Sequence, residues 1–182
     1  PAPPWATIFY ALHENEMLPR WAENVSFYKR FIDNVIGVWL VDQCPERNEL
    51  LWSEFKADMN SWFGLEWTCT APSRTINFMD LTISIADGRL TTTIYEKDQN
   101  LYLYIPAHSA HPPSCLKGLI SGEMFRYWLQ NSTKDFEAIL SKFIQRLTER
   151  GHRIENLIPL FRQAAINLST KIATPSFPNT TT

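Results

Sequence analysis

The feature that most constrains this chain is a pair of β-prone runs, residues 26–32 and 35–41, separated only by the polar pair Asp33-Asn34. A polar pair between two apolar runs predicts a tight antiparallel hairpin turn. The flanking aromatic and β-branched residues suit a pleated, largely buried surface. The hairpin lifts one carboxylate, Asp33, on a rigid tip. A hard oxygen ligand on a scaffold that cannot relax is what divalent-metal chemistry requires; an ordinary hairpin closed by an Asx turn uses the same residues. Inside the first run, alternation places Lys29 and Arg30 on opposite faces, either one toward solvent or toward a phosphate.

Composition narrows the classes. At 182 residues the chain can bury a real core, and its net charge of −2 carries no global signal for nucleic acid, so any such contact must be local. Cys44, Cys69 and Cys115 are widely spaced, odd in number and without a CxxC pair, which speaks against a disulfide framework or a zinc site. This usage favours a reducing compartment, cytoplasmic or nuclear; no signal peptide is visible and no apolar run is long enough to span a membrane. The opening Pro-Ala-Pro-Pro-Trp reads as mid-domain sequence, and the expectation is a fragment or a processed product.

The remaining periodicities predict the following elements. Residues 4–14 form a helix with Trp5, Ile8, Phe9 and Leu12 as its buried stripe and Pro4 in its first turn. Residues 15–25 are a connection. Residues 46–62 form a helix with Trp52, Phe55, Met59 and Trp62 facing the core and Gly64 as its cap. A short strand follows at 65–70. Residues 76–85, where Met79, Leu81, Ile83 and Ile85 alternate with polar residues, form a half-buried strand that turns at Asp87-Gly88 into a partner strand at 90–95. Residues 98–113, with three prolines, are extended or turning; His108 and His111 are poorly spaced for zinc. Three helices complete the pattern. The first, at 114–131, is N-capped by Ser114 and turns Leu116, Leu119, Ile120, Phe125, Trp128 and Leu129 inward. The second, at 133–150, packs through Phe136, Ile139, Leu140, Phe143 and Leu147 and ends at Gly151. The third, at 153–169, packs through Leu157, Leu160, Phe161, Ala164 and Leu168. Lys142, Arg146 and Arg150 lie four apart on another face of the second helix, either a solvated stripe or a phosphate-tracking surface.

The order of these pieces resembles a reverse transcriptase of a non-retroviral retroelement. Phe31-Ile32-Asp33-Asn34 resembles motif C, an aromatic residue, any residue and two aspartates between apolar strands, with Asn34 in place of the second aspartate. Residues 2–9 are similar to the end of motif B. The block Asn77-Phe78-Met79-Asp80-Leu81-Thr82-Ile83, followed by Thr92-Thr93-Ile94-Tyr95-Glu96-Lys97, is similar to the primer grip, with Glu96 where a basic residue is common and Lys97 retained. Tyr102-Leu103 to His111-Pro112 resembles the segment that leads into the thumb.

The resemblance implies an α+β fold, an antiparallel palm sheet packed on helices and followed by a helical thumb. It divides the chain into a partial palm at 1–105 and a thumb-like region at 106–171; the Pro, Ser, Asn and Thr that dominate from Thr174 predict a disordered tail, taken as 172–182. It implies Asp33 and Asn34 as the catalytic pair, with Asp33 the metal ligand, and Lys97, His108, His111, Lys142, Arg146 and Arg150 as the nucleic-acid contacts; Asp80 would be structural. The partners implied are an RNA/DNA template-primer and the fingers and motif A segment of a parent polymerase. In the complete enzyme, carboxylates of motifs A and C hold two Mg²⁺. These residues offer only Asp33, and Asn34 brings no negative charge, so the chain alone is expected to be inactive. The alternatives are a decayed, non-enzymatic module that binds nucleic acid or protein, and an α+β scaffold with no nucleic-acid function.

Overall fold

A computed structural model of the chain describes residues 2–132 and 136–173. Among them the fold is mixed α+β, with two small antiparallel sheets and five α-helices. The chain forms two compact units that divide between Arg74 and Thr75, ahead of the division expected after residue 105. The one palm sheet expected from sequence is instead two separate sheets, one in each unit.

The first unit runs through α1 (Ala2–Met17), a single 3-10 turn (Leu18–Trp21), β1 (Val25–Phe31), β2 (Asn34–Trp39) and α2 (Pro45–Met59). Pro45 and Glu46 suit the first turn of α2, and Phe55 and Met59, four apart, enter the core with Met17 and Trp21. Trp39 of β2 meets Trp52 edge-on at 5.1 Å and lies 5.5 Å from Phe55, which seats the hairpin on α2. The stripe expected to bury α1 does not do so. Trp5, Ile8, Phe9 and Leu12 are exposed, and Tyr10, His13 and Met17 are buried instead. The cause lies at the end of α2, whose last carbonyls have no intrahelical donor. The Tyr10 hydroxyl donates to Met59 O at 3.0 Å, and His13 Nε2 donates to Asp58 O at 2.9 Å. Two polar side chains thus enter the interior satisfied.

Three other expectations fail in this unit. The hairpin pairs Phe31 with Asn34, so the turn residues are Ile32 and Asp33, one position earlier than read from sequence. The helix ends at Met59 with Asn60 as its cap, and Gly64 serves a later turn at φ +71°. Residues 65–70 join no ladder; Trp67 N is held by Asn60 Oδ1, and the Trp67 ring packs 4.9 Å from Tyr10.

Ile32 sits at φ +56°. A β-branched residue there is strained, because its Cβ crowds the backbone. Ile32→Gly is therefore expected to raise the unfolding free energy by up to about 1 kcal/mol, since roughly 1–2 kcal/mol of left-handed strain is relieved against about 0.5–1 kcal/mol of added chain entropy. Urea denaturation followed by tryptophan fluorescence measures this; a loss of stability would show that the Ile32 side chain contributes more than its backbone costs.

The second unit begins with a meander, β3 (Thr75–Phe78), β4 (Leu81–Ala86) and β5 (Arg89–Ile94), in the order β3-β4-β5. The single strand expected at 76–85 is thus two strands. Phe78 pairs with Leu81 around a Met79-Asp80 turn, with Met79 at φ +55°. The turn is fixed from outside: Asp80 O accepts Tyr95 N at 2.8 Å, and the Asp80 carboxylate lies 3.6 Å from Arg126. Asp87-Gly88 turns as expected, with both residues at positive φ.

Three helices follow, α3 (Pro113–Gln130), α4 (Phe136–Glu149) and α5 (Ile154–Ala173). Their core is Ile120, Met124 and Tyr127 of α3, Phe143 and Leu147 of α4, and Leu157 and Ala164 of α5, with Ile94 and Tyr104 packed against it. The inward faces of α4 and α5 are those expected. That of α3 is rotated: Phe125, Trp128 and Leu129 are exposed, while Tyr127 is buried with its hydroxyl 3.2 Å from that of Tyr104. Pro112, not Ser114, is the residue before the first turn of α3. Gly151, at φ +90°, ends α4, and His152 N returns to Leu147 O at 3.2 Å. After α3, Ser132 forms one rung beside β5: its N–H donates to Thr92 O at 2.8 Å, and its hydroxyl oxygen accepts Thr92 N at 2.6 Å. No helix among the described residues is long and apolar enough to cross a membrane. The first residues of the helix expected at 133–150 and most of the tail expected at 172–182 lie outside the described residues, and residues 172–173 complete α5.

Burial pushes the Tyr127 hydroxyl above its ordinary value of 10.0, and its hydrogen bond with Tyr104 adds to the effect. Above that pH the unfolded chain releases a proton that the folded chain retains. Stability is therefore complete below about pH 10 and falls as pH rises further. In a spectrophotometric titration, part of the tyrosine absorbance change is expected only with unfolding; a full change before unfolding would contradict it.

Candidate nucleic-acid interface

Asp33 is exposed at the hairpin tip, and Asn34 Nδ2 donates to its Oδ1 at 2.9 Å. What holds the tip is a buried ion pair. Arg30 and Glu14, with side chains 6% and 12% exposed, meet at 2.6 Å through Arg30 Nε. A second guanidinium nitrogen of Arg30, Nη2, donates to the other Glu14 oxygen at 2.8 Å, and the Tyr28 hydroxyl donates to the carboxylate at 2.7 Å. Arg30 also donates to Thr7 O at 2.9 Å and to Ile32 O at 3.1 Å, and its guanidinium lies 5.2 Å from the Tyr10 ring centre. The hydrogen bond to Glu14 raises the Arg30 pKa further, and burial raises that of Tyr28. Arg30 is thus the member of the Lys29-Arg30 pair that is withdrawn from solvent, and it grips the carbonyl of the strained turn residue beside Asp33. Sequence reading missed Glu14. The signal available was that Tyr28 and Arg30, two apart in a strand, share one face.

The implied magnesium was tested against the donors present. Asp33 is one carboxylate, one of whose oxygens already accepts the Asn34 amide. Among the described residues no three His, Cys, Asp or Glu side chains gather as a metal ion would need. Asp33 would supply one carboxylate to a magnesium ion, and the other oxygens of its sphere would come from water, substrate phosphates or further carboxylates.

The other candidates lie in the second unit and fall into two groups. Lys97, His108 and His111 are exposed. His111 Nδ1 shares a hydrogen bond with Ser109 Oγ. The α4 cations are more occupied than their spacing suggested. Arg146, 20% exposed, donates to Glu96 at 2.9 Å and lies 3.6 Å over the Tyr102 ring. Arg150 Nε donates to Tyr104 O at 2.9 Å. Lys142, 61% exposed, stands 3.6 Å from Glu96. Arg146 and Arg150 therefore pin residues 96–104 to α4, which gives Glu96 a role that its place in the sequence did not reveal. Compared with known proteins, the sequence matches no family model, and neither a curated protein nor a solved structure matches it.

Proposed function

We propose that this chain is a palm-and-thumb module of the reverse-transcriptase kind, that it binds a template-primer duplex, and that these residues alone do not transfer nucleotides. The observation that carries the reading is Asp33, exposed at a hairpin tip whose turn carbonyl is gripped by the Arg30–Glu14 pair, within the Phe-x-Asp-Asn order. A carboxylate presented on a braced tip is poised for polymerase chemistry once further carboxylates are supplied. The fingers and motif A segment of a parent polymerase are the source that the resemblance implies, and Mg²⁺ belongs to that complete enzyme. In this reading β3–β5 form the primer grip and residues 106–171 the thumb, with Lys97, His108, His111 and Lys142 toward the nucleic acid and Arg146 and Arg150 shaping the surface behind them.

Asn34 favours a second reading, a non-enzymatic module that keeps the binding surface without the chemistry. Its amide neutralises no charge and occupies an Asp33 oxygen.

Binding of a fluorescent RNA–DNA template-primer, measured against salt, tests the proposal. Affinity is expected to fall steeply as salt rises. Lys97→Ala and Lys142→Ala are each expected to flatten the log–log slope by about one where the lysine meets a phosphate. Arg146 and Arg150 are unsuited to this test, because their loss would free residues 96–104. Binding that ignores salt, or none at low salt, rejects nucleic acid as the partner. Primer extension by the 182-residue chain, abolished by Asp33→Ala, rejects the claim of inactivity.

A further inference from the structure

The second unit holds a cavity of about 440 Å³ between residues 105–113 and the start of α5. Its polar wall is Ser109, His111, His152, Arg153 and Asn156, and no carboxylate lines it. His152 is fixed in place, its Nε2 donating to Ile105 O at 2.8 Å. Ser109 and His111 orient one another. Arg153 is exposed and opens the first turn of α5, where backbone N–H groups and the helix dipole also favour an anion. Glu155, in the same turn, does not line the cavity. The rest of the lining is largely apolar and includes Pro106, Pro112, Leu116 and Leu160. The volume falls in the range of small-ligand sites. A bare anion has no use for the apolar lining residues, and an apolar ligand has none for Arg153 and the polar ones. A phosphate joined to a flat, largely apolar body uses both.

We propose that this cavity binds one phosphorylated nucleoside unit. Arg153, Ser109 and Asn156 hold the phosphate, and Pro112 and Leu160 cover the base or sugar. The unit could belong to a strand bound by the module or be a free nucleotide. The identification of the ligand as nucleic acid rests on the function proposed above; the site does not.

The test uses the whole chain and the ring resonances of its four histidines, titrated with dAMP, inorganic phosphate and a 5′-phosphorylated oligothymidylate. With dAMP, the His111 and His152 signals are expected to move and that of His13, buried in the other unit, to stay. Arg153→Ala should weaken binding at least about tenfold, as loss of a charge-assisted hydrogen bond does, and Arg153→Lys should restore part of it. Arg153 is exposed, so neither variant threatens the fold; unchanged amide signals of Phe143 and Leu147, in the core of the same unit, verify this. No movement of His111 and His152 with any probe overturns the proposal, and so does inorganic phosphate acting as strongly as dAMP. If the oligonucleotide binds but neither it nor dAMP moves those signals, this site is wrong and the template-primer reading stands. If dAMP moves them while no oligonucleotide is retained at low salt, the site stands and the template-primer reading falls.

Discussion

Glu14→Ala is expected to lower the unfolding free energy of the first unit by about 3–5 kcal/mol, the cost of leaving a buried charge without its partner. The size follows from what the carboxylate does. It accepts from the Tyr28 hydroxyl and from two nitrogens of Arg30, and both side chains of the pair are nearly closed to water. Its removal strands the guanidinium in the interior and leaves the Tyr28 hydroxyl without its acceptor. Glu14→Gln, which keeps an acceptor but not the charge, should cost less. Changing Glu14 and Arg30 together to leucine and methionine should recover much of the loss, because a well-packed apolar pair avoids desolvation. Denaturant unfolding measures all three variants, with amide hydrogen exchange locating the loss in α1 and the hairpin. A Glu14→Ala variant within about 1 kcal/mol of the parent would mean that the pair behaves as an exposed one.

Phe143→Ala is expected to destabilise the second unit by about 3–5 kcal/mol. The ring is fully buried and touches three others, Tyr104 at 5.0 Å, Tyr127 at 5.7 Å and Phe161 at 5.5 Å between centres. It joins α4 at once to α3, to α5 and to the segment before α3. The cavity left behind is walled by large rings that cannot collapse without moving a helix. Phe143→Leu should cost markedly less, since it retains most of the volume. Equal losses for the two substitutions would show that ring geometry, not filled volume, is what the site requires.

Helices α4 and α5 were legible because their inward positions are aliphatic or Phe at strict helical spacing. The faces of α1 and α3 were not, for one shared reason. Each buries a tyrosine whose hydroxyl is satisfied by a group far away in sequence, Tyr10 by Met59 O and Tyr127 by Tyr104. Hydropathy counts such a residue as neutral and passes over it for the apolar neighbour that ends up exposed. The turns show a different limit. Met79-Asp80 contains neither Gly nor Pro nor Asn, and apolar alternation runs straight through it; nothing local announces a reversal held by Arg126 and Tyr95. At the candidate interface, Asp33 could be read from its setting between two strands. The partners that occupy Arg30, Arg146 and Arg150 could not, because each is a contact across 16 or more positions of chain.

The Ser132 rung beside Thr92 bears on how the chain behaves before it is fully folded. A sheet edge with free backbone groups recruits strands from other molecules. Ser132 follows α3, so this stretch of the β5 edge is shielded only once α3 has docked. During that interval two chains compete with one helix for the same amides, and the competition depends on concentration. Refolding yield should therefore fall as protein concentration rises, and fall sooner for Ser132→Pro, which lacks the N–H and the hydroxyl that close the rung. The same serine that looks incidental in the folded molecule would then act as a guard against association while the molecule is being made.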